Sequence, residues 1–71
     1  MIIRVVDEYE ERWEVPEGTT VRSLFEFHWP ERKIEDYLFR LRVPHGVAEA
    51  VSVDHVLEEG RHLLVVPTKV V

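Results

Sequence analysis

Residues able to do chemistry are few in this chain, and they stand apart from one another. The four histidines fall at positions 28, 45, 55 and 62, and there is no cysteine. A zinc site needs ligands at close, regular spacing, but His45 and His55 sit in predicted turns with no cysteine or paired carboxylate at that spacing. His28 falls on a predicted helical face, where it reads as a packed or helix-end imidazole favoured by the negative helix terminus. A nucleophile needs a positioned base, and neither Ser23 nor Ser52 has one in the sequence. The adjacent acids Asp7 and Glu8, and Glu58 and Glu59, would point to opposite sides of a strand and so could not share a proton. A domain this small also has little room for a substrate pocket. The expectation is a protein that is not an enzyme, with no catalytic residue, no cofactor and no metal.

Composition points the same way. The chain has 71 residues and a formal net charge of -5, which fits one domain over 1–71 and argues against nonspecific nucleic-acid binding, where a basic footprint is expected. A chain of this size buries only about 60% of the surface that its unfolded form exposes, so the core is thin and must hold by packing alone. No basic segment followed by an apolar stretch opens the sequence, and no apolar run approaches the roughly eighteen residues of a membrane span. A soluble cytoplasmic protein, with no nucleic acid and no membrane among its partners, is expected. Six carboxylates (Asp7, Glu8, Glu10, Glu11, Glu14 and Glu17) crowd into eleven residues. They read as a solvated hairpin whose charge discourages edge pairing, in preference to an acidic docking edge.

The elements that must position any site follow from periodicity. "MIIRVVD" is largely β-branched and predicts a strand over Ile2 to Val6. After a polar turn at Asp7 and Glu8, Tyr9, Glu11, Trp13 and Val15 alternate with Glu10, Arg12 and Glu14, the period-2 pattern of a second strand and hence of a hairpin. Pro16 stops that strand, Gly18 serves a turn, and Thr20 can cap a helix. Val21, Leu24, Phe25 and His28 then recur on one helical face until Pro30 ends the helix near Trp29. Phe27 falls off that stripe, either as a second contact or as an exposed aromatic. Trp13 reads as core and Trp29 as a lid over it. "ERKIEDY" connects, with a helical turn as one option. "LFRLRV" sets Phe39, Leu41 and Val43 against Arg40 and Arg42 in a third strand, which "PHG" breaks. In "VAEAVSVDHVL", Val47 to Glu49 could start a helix, while Val51 and Val53 suggest a short strand. Gly60 turns the chain into a last strand, "RHLLVVP". This order predicts an α+β fold of β-grasp type: a mixed sheet of four to five strands with one helix packed across one face.

Two stretches resemble a known family. "VPEGTTVRSLFE" resembles the helix entry of the MoaD/ThiS ubiquitin-like sulfur carriers, with Pro16, Glu17, Gly18, Thr19, Thr20 and Val21 in the family's order. "DHVLEEGRHLLVVP" resembles its closing segment through Leu57, Glu59, Gly60 and Pro67. Three positions depart from the pattern: "PHG" replaces an asparagine-glycine turn, Arg61 replaces an aspartate, and the C-terminal diglycine is missing. In the family that diglycine is adenylated by an activating enzyme, so the resemblance implies a protein partner of activating-enzyme type. The tail Thr68, Lys69, Val70 and Val71 stands in its place, and its β-branched end is too stiff to thread a narrow channel well.

Period-2 arithmetic yields one further feature. If Phe39, Leu41, Leu63 and Val65 face the helix, then Arg40, Arg42, His62, Leu64 and Val66 share the outer face, with Arg4 and Arg12 as possible neighbours. Such a basic patch with an apolar centre suits an acidic protein partner; the alternative is that the arginines only pair across the sheet with Glu10, Glu14 and their neighbours. The leading reading is a non-enzymatic protein acting by protein-protein contact, as a monomer or weak dimer. The alternatives are a sulfur carrier or modifier whose reactive tail is truncated or absent, and a TGS-like regulatory module.

Overall fold

Ile2–Val6 forms β1 and Glu10–Glu14 forms β2, joined where the Asp7 carboxylate accepts a hydrogen bond from the Tyr9 amide at 3.1 Å. The computed structural model describes residues 1–7, 9–42 and 46–68. Glu8 of the predicted first turn, Val43 of the third strand, Pro44 and His45 of the "PHG" break, and Lys69, Val70 and Val71 of the tail lie outside these residues. β1 and β2 pair antiparallel with Ile3 opposite Trp13 and Arg4 opposite Arg12. The inward face fades toward the turn: Glu11 shares the side of Val5, and Tyr9, expected to continue the apolar series, is exposed.

Gly18 adopts φ +87°, a left-handed value that side chains disfavour, and turns the chain from β2 into the helix. Helix α1 spans Val21–His28. Its first amides are satisfied from two directions. The Thr20 hydroxyl accepts from the Ser23 amide at 3.2 Å, while the Val21 and Arg22 amides donate to the carbonyls of His55 and Val53 at 3.0 and 2.8 Å. The Leu57 amide returns a bond to the Thr19 carbonyl at 2.8 Å. Val21, Leu24 and Phe25 are buried, and Trp29 closes the helix with its amide on the Phe25 carbonyl at 2.8 Å.

A 3-10 turn at Ile34–Asp36 leads into β3, Tyr37–Arg42, and the chain then forms β4, Ala48–Ala50, and β5, His62–Pro67. The fourth strand corrects the expectation for its segment. Neither a helix from Val47 nor a strand at Val51 and Val53 forms; the strand lies just before these valines, opposite Arg40–Arg42. The valines pack against the core from an irregular stretch, because that stretch must leave the sheet to cap α1.

The sheet order is β2-β1-β5-β3-β4. β1 and β5 run parallel, and the other neighbours run antiparallel. The protein is thus a small α+β domain with a five-stranded mixed sheet and one helix. Ile3, Val5, Phe39, Leu63 and Val65 form the sheet side of the core, with Val21, Leu24, Phe25, Trp29 and Leu57 over them. Phe25 is the hub, with its ring between 5.2 and 5.5 Å from those of Trp29, Tyr37 and Phe39. Each fully buried aliphatic or aromatic side chain contributes roughly 1.5–3 kcal/mol, offset largely by chain entropy.

Replacing Thr20 by alanine removes the acceptor for the Ser23 amide and should lower the unfolding free energy by about 1 kcal/mol. Phe27→Ala, at a site 80% exposed, should change it by less than about 0.5 kcal/mol. Urea denaturation of the two variants beside the parent chain measures both.

Candidate functional site: the open face of the sheet

Strand periodicity sends the residues between the core positions to the side away from α1. The registers place Arg12 beside Arg4, Arg4 beside His62, and His62 beside Arg42. Four basic or ionisable side chains therefore form one row across β2, β1, β5 and β3, about 14 Å long at roughly 4.8 Å per strand step. The next row sets Val6 beside Leu64 and Leu64 beside Arg40, and a third pairs Val66 with Leu38. Arg40, Arg42, His62, Leu64 and Val66 thus share one face, and Arg4 and Arg12 join them.

This face is poorly compensated. Arg4 Nη1 lies 3.4 Å from a Glu10 carboxylate oxygen, but Arg12, Arg40 and Arg42 make no ion pair with any of the described residues. Arg42 Nη2 approaches His62 Nδ1 at 3.4 Å, so the guanidinium donates to an imidazole rather than to a carboxylate. Arg4 and Arg12 are direct cross-strand partners, an arrangement in which like charges oppose pairing. Glu10 and Glu14 flank Arg12 on the same face of β2, but of these acids only Glu10 comes within ion-pair distance of an arginine among the described residues. A shallow cleft of about 690 Å³ opens along the row, walled by Ile2, Arg4, Arg12, Arg42, Glu59 and His62. Glu59 is already committed to the Ile2 amide at 2.7 Å.

Apolar surface lies beside the charges. Leu38 is 56% and Val66 44% exposed, and Leu64 and Val6 are half-buried between them and the arginine row. At the end of β5, both the amide and the hydroxyl of Thr68 donate to the Asp36 carbonyl, at 2.8 and 3.0 Å. This is the one tail residue that the structure places; Lys69, Val70 and Val71 lie outside the described residues.

A second cluster, on the helix side, is richer than its sequence signal. The His28 ring sits between two indoles, 3.7 Å from the Trp13 centroid and 4.2 Å from that of Trp29. Its Nδ1 is buried without a hydrogen-bond partner among the described residues, and its Nε2 is 3.8 Å from a Glu11 carboxylate oxygen that also accepts from Trp13 Nε1 at 3.0 Å. Arg32 covers Trp29 with its guanidinium 4.8 Å from the ring and 3.9 Å from Asp7. The contact was hidden because Trp13 and His28 are fifteen positions apart and belong to elements of different period. Among the described residues, no group of three histidine, cysteine or acidic side chains is arranged to hold a metal ion, and no helix is long and apolar enough to cross a membrane.

His28→Phe keeps an aromatic ring between the indoles and removes a buried nitrogen that has no partner among the described residues, so stability should be unchanged or higher. His28→Ala loses the packing and should lower the melting temperature. Thermal unfolding followed by circular dichroism separates the two outcomes.

Compared with protein-family models, with curated proteins and with solved structures, the chain matches none.

Proposed function

We propose that this chain is a ubiquitin-like protein of β-grasp type, without catalytic activity of its own, that works by capturing an acidic protein partner on the open face of its sheet. The observation that carries the reading is the row Arg12, Arg4, His62 and Arg42, in which Arg12 and Arg4 stand side by side across strands and Arg4 alone of the three arginines has an ion pair among the described residues. The Arg4–Arg12 juxtaposition opposes strand pairing, whereas a partner bringing carboxylates gains both steering and register from it. Leu38, Leu64 and Val66 supply the apolar area that charge alone does not provide. The fold reading is supported by the strand order, by the parallel pair β1 and β5 at its centre, and by the single helix laid over one face.

A carrier or modifier of MoaD/ThiS type is the second reading. It is favoured by the two bonds that fix Thr68 to the Asp36 carbonyl, since they deliver whatever follows from a defined point at the sheet's end. Its test is direct: a mass increase at the C-terminus after incubation with an activating enzyme and ATP supports it, and an unmodified chain counts against it.

For the first reading, the double variant Arg40→Glu and Arg42→Glu should lose the partner that the parent chain retains in a pull-down, and the parent's capture should weaken as salt rises. Its melting temperature should stay close to the parent value, because both side chains are exposed and make no ion pair with the described residues. Capture that survives the double charge reversal excludes this face as the binding surface.

A further inference from the structure

A cavity of about 470 Å³ opens where α1 ends, bordered by Asp7, Tyr9, Glu11, Trp29, Arg32 and Tyr37. Glu11 stands opposite Val5, a core residue, so this cavity and the arginine row lie on opposite faces of the sheet. What marks the cavity is that the chain puts a cation of its own into it. The Arg32 guanidinium lies over two rings at once, 4.8 Å from the Trp29 centroid and 6.0 Å from that of Tyr37. Both distances are within the reach of the attraction between a cation and an aromatic face. Asp7 supplies the counter-charge, with a carboxylate oxygen 3.9 Å from Arg32 Nη1.

Arg32 is held there lightly. At 3.9 Å its pair with Asp7 is too long for a hydrogen bond, and it has no other ion pair among the described residues. Its side chain is 40% exposed, and an ion pair so exposed contributes little. The surroundings, by contrast, favour a cation strongly. Two carboxylates, Asp7 and Glu11, border the cavity against the one guanidinium. The Asp7 side chain is only 26% exposed, so its charge is screened less than one on open surface. The negative end of α1 acts in the same sense. Space remains as well: the volume is in the range that small ligands use, and a guanidinium fills part of it. Tyr9, 72% exposed, adds a third ring that Arg32 does not cover.

We propose that this cavity binds a weakly hydrated organic cation, a guanidinium or quaternary ammonium group, and that Arg32 is its internal occupant, displaced when the ligand enters. Trp29 and Tyr37 take the cation on their faces, Asp7 supplies the charge, and Tyr9 closes the free side. Aromatic faces suit such delocalised or methylated cations, whereas the compact ammonium of an unmodified lysine keeps its water and fits poorly. The group belongs either to a free small molecule or to an arginine or methylated lysine side chain of another protein, and the chemistry that recognises it is the same.

Choline and N-acetyl-arginine methylamide, titrated separately into the chain and followed by the indole N–H signal of Trp29 in NMR spectra, test this. Both should shift the signal to saturation, and the tighter binder tells whether the site serves a free small molecule or a side chain. Arg32→Ala should bind at least about tenfold more tightly than the parent, because the internal competitor is gone. Asp7→Asn should bind more weakly, and it keeps an oxygen for the Tyr9 amide, so the hairpin turn is preserved. Dimethylbutanol, the uncharged isostere of choline, should not saturate the signal. Absence of saturation by either cation in Arg32→Ala, saturation by the uncharged isostere as readily as by choline, or affinity indifferent to Arg32→Ala or to Asp7→Asn would each overturn the proposal. The circular dichroism spectrum of each variant confirms that it is folded.

Discussion

The structure turns on how the first turn of α1 is satisfied. An eight-residue helix is too short to persist by its own propensity, and its opening amides would be left to solvent at the margin of the core. Here two of them are taken by the carbonyls of Val53 and His55, and Thr20 takes a third. Segments more than thirty positions apart are thereby locked together, with the Leu57 amide closing the circuit on Thr19. The lock explains the irregular course after β4: Val51 and Val53 cannot remain in a strand when the carbonyl of Val53 is needed at the helix. It also holds Leu57 under the helix, where it is buried with Val21 and Leu24.

With the helix fixed on one side, the sheet is free to present the other. An acidic chain places Arg4, Arg12, Arg40 and Arg42 on that open face, with Glu10 and Glu14 beside them at its β2 edge. Charge placed there does little for folding, because exposed ion pairs contribute little in any case. It matters for encounter, since a row of exposed arginines on one face orients an approaching anionic molecule before contact.

Much of this organisation was legible in the sequence. The hairpin, the Thr20 cap, the end of the helix before Pro30, the third strand and the last strand all follow local rules, and they appear within a residue or two of where periodicity put them. The outer face was legible too, because period-2 alternation fixes every second side chain once one is known to be buried. What escaped was tertiary. β4 is three residues long, too short to show a period, and its place is set by Arg40–Arg42 rather than by its own alanines. The valines beyond it have strand propensity, overridden by the demand of the helix for acceptors. The packing of His28 between Trp13 and Trp29 depends on how the helix crosses β2, which no local pattern encodes.

The position of β5 carries a consequence for how the sheet closes. The last of the five strands in sequence is the one in the middle: β1 bonds it on one side and β3 on the other, and it brings Leu63 and Val65 to the core. Without it, the β1–β2 hairpin and the β3–β4 pair are two halves of a sheet with no strand between them. The core therefore closes through contacts of long sequence separation, a step slower than the local pairing that precedes it.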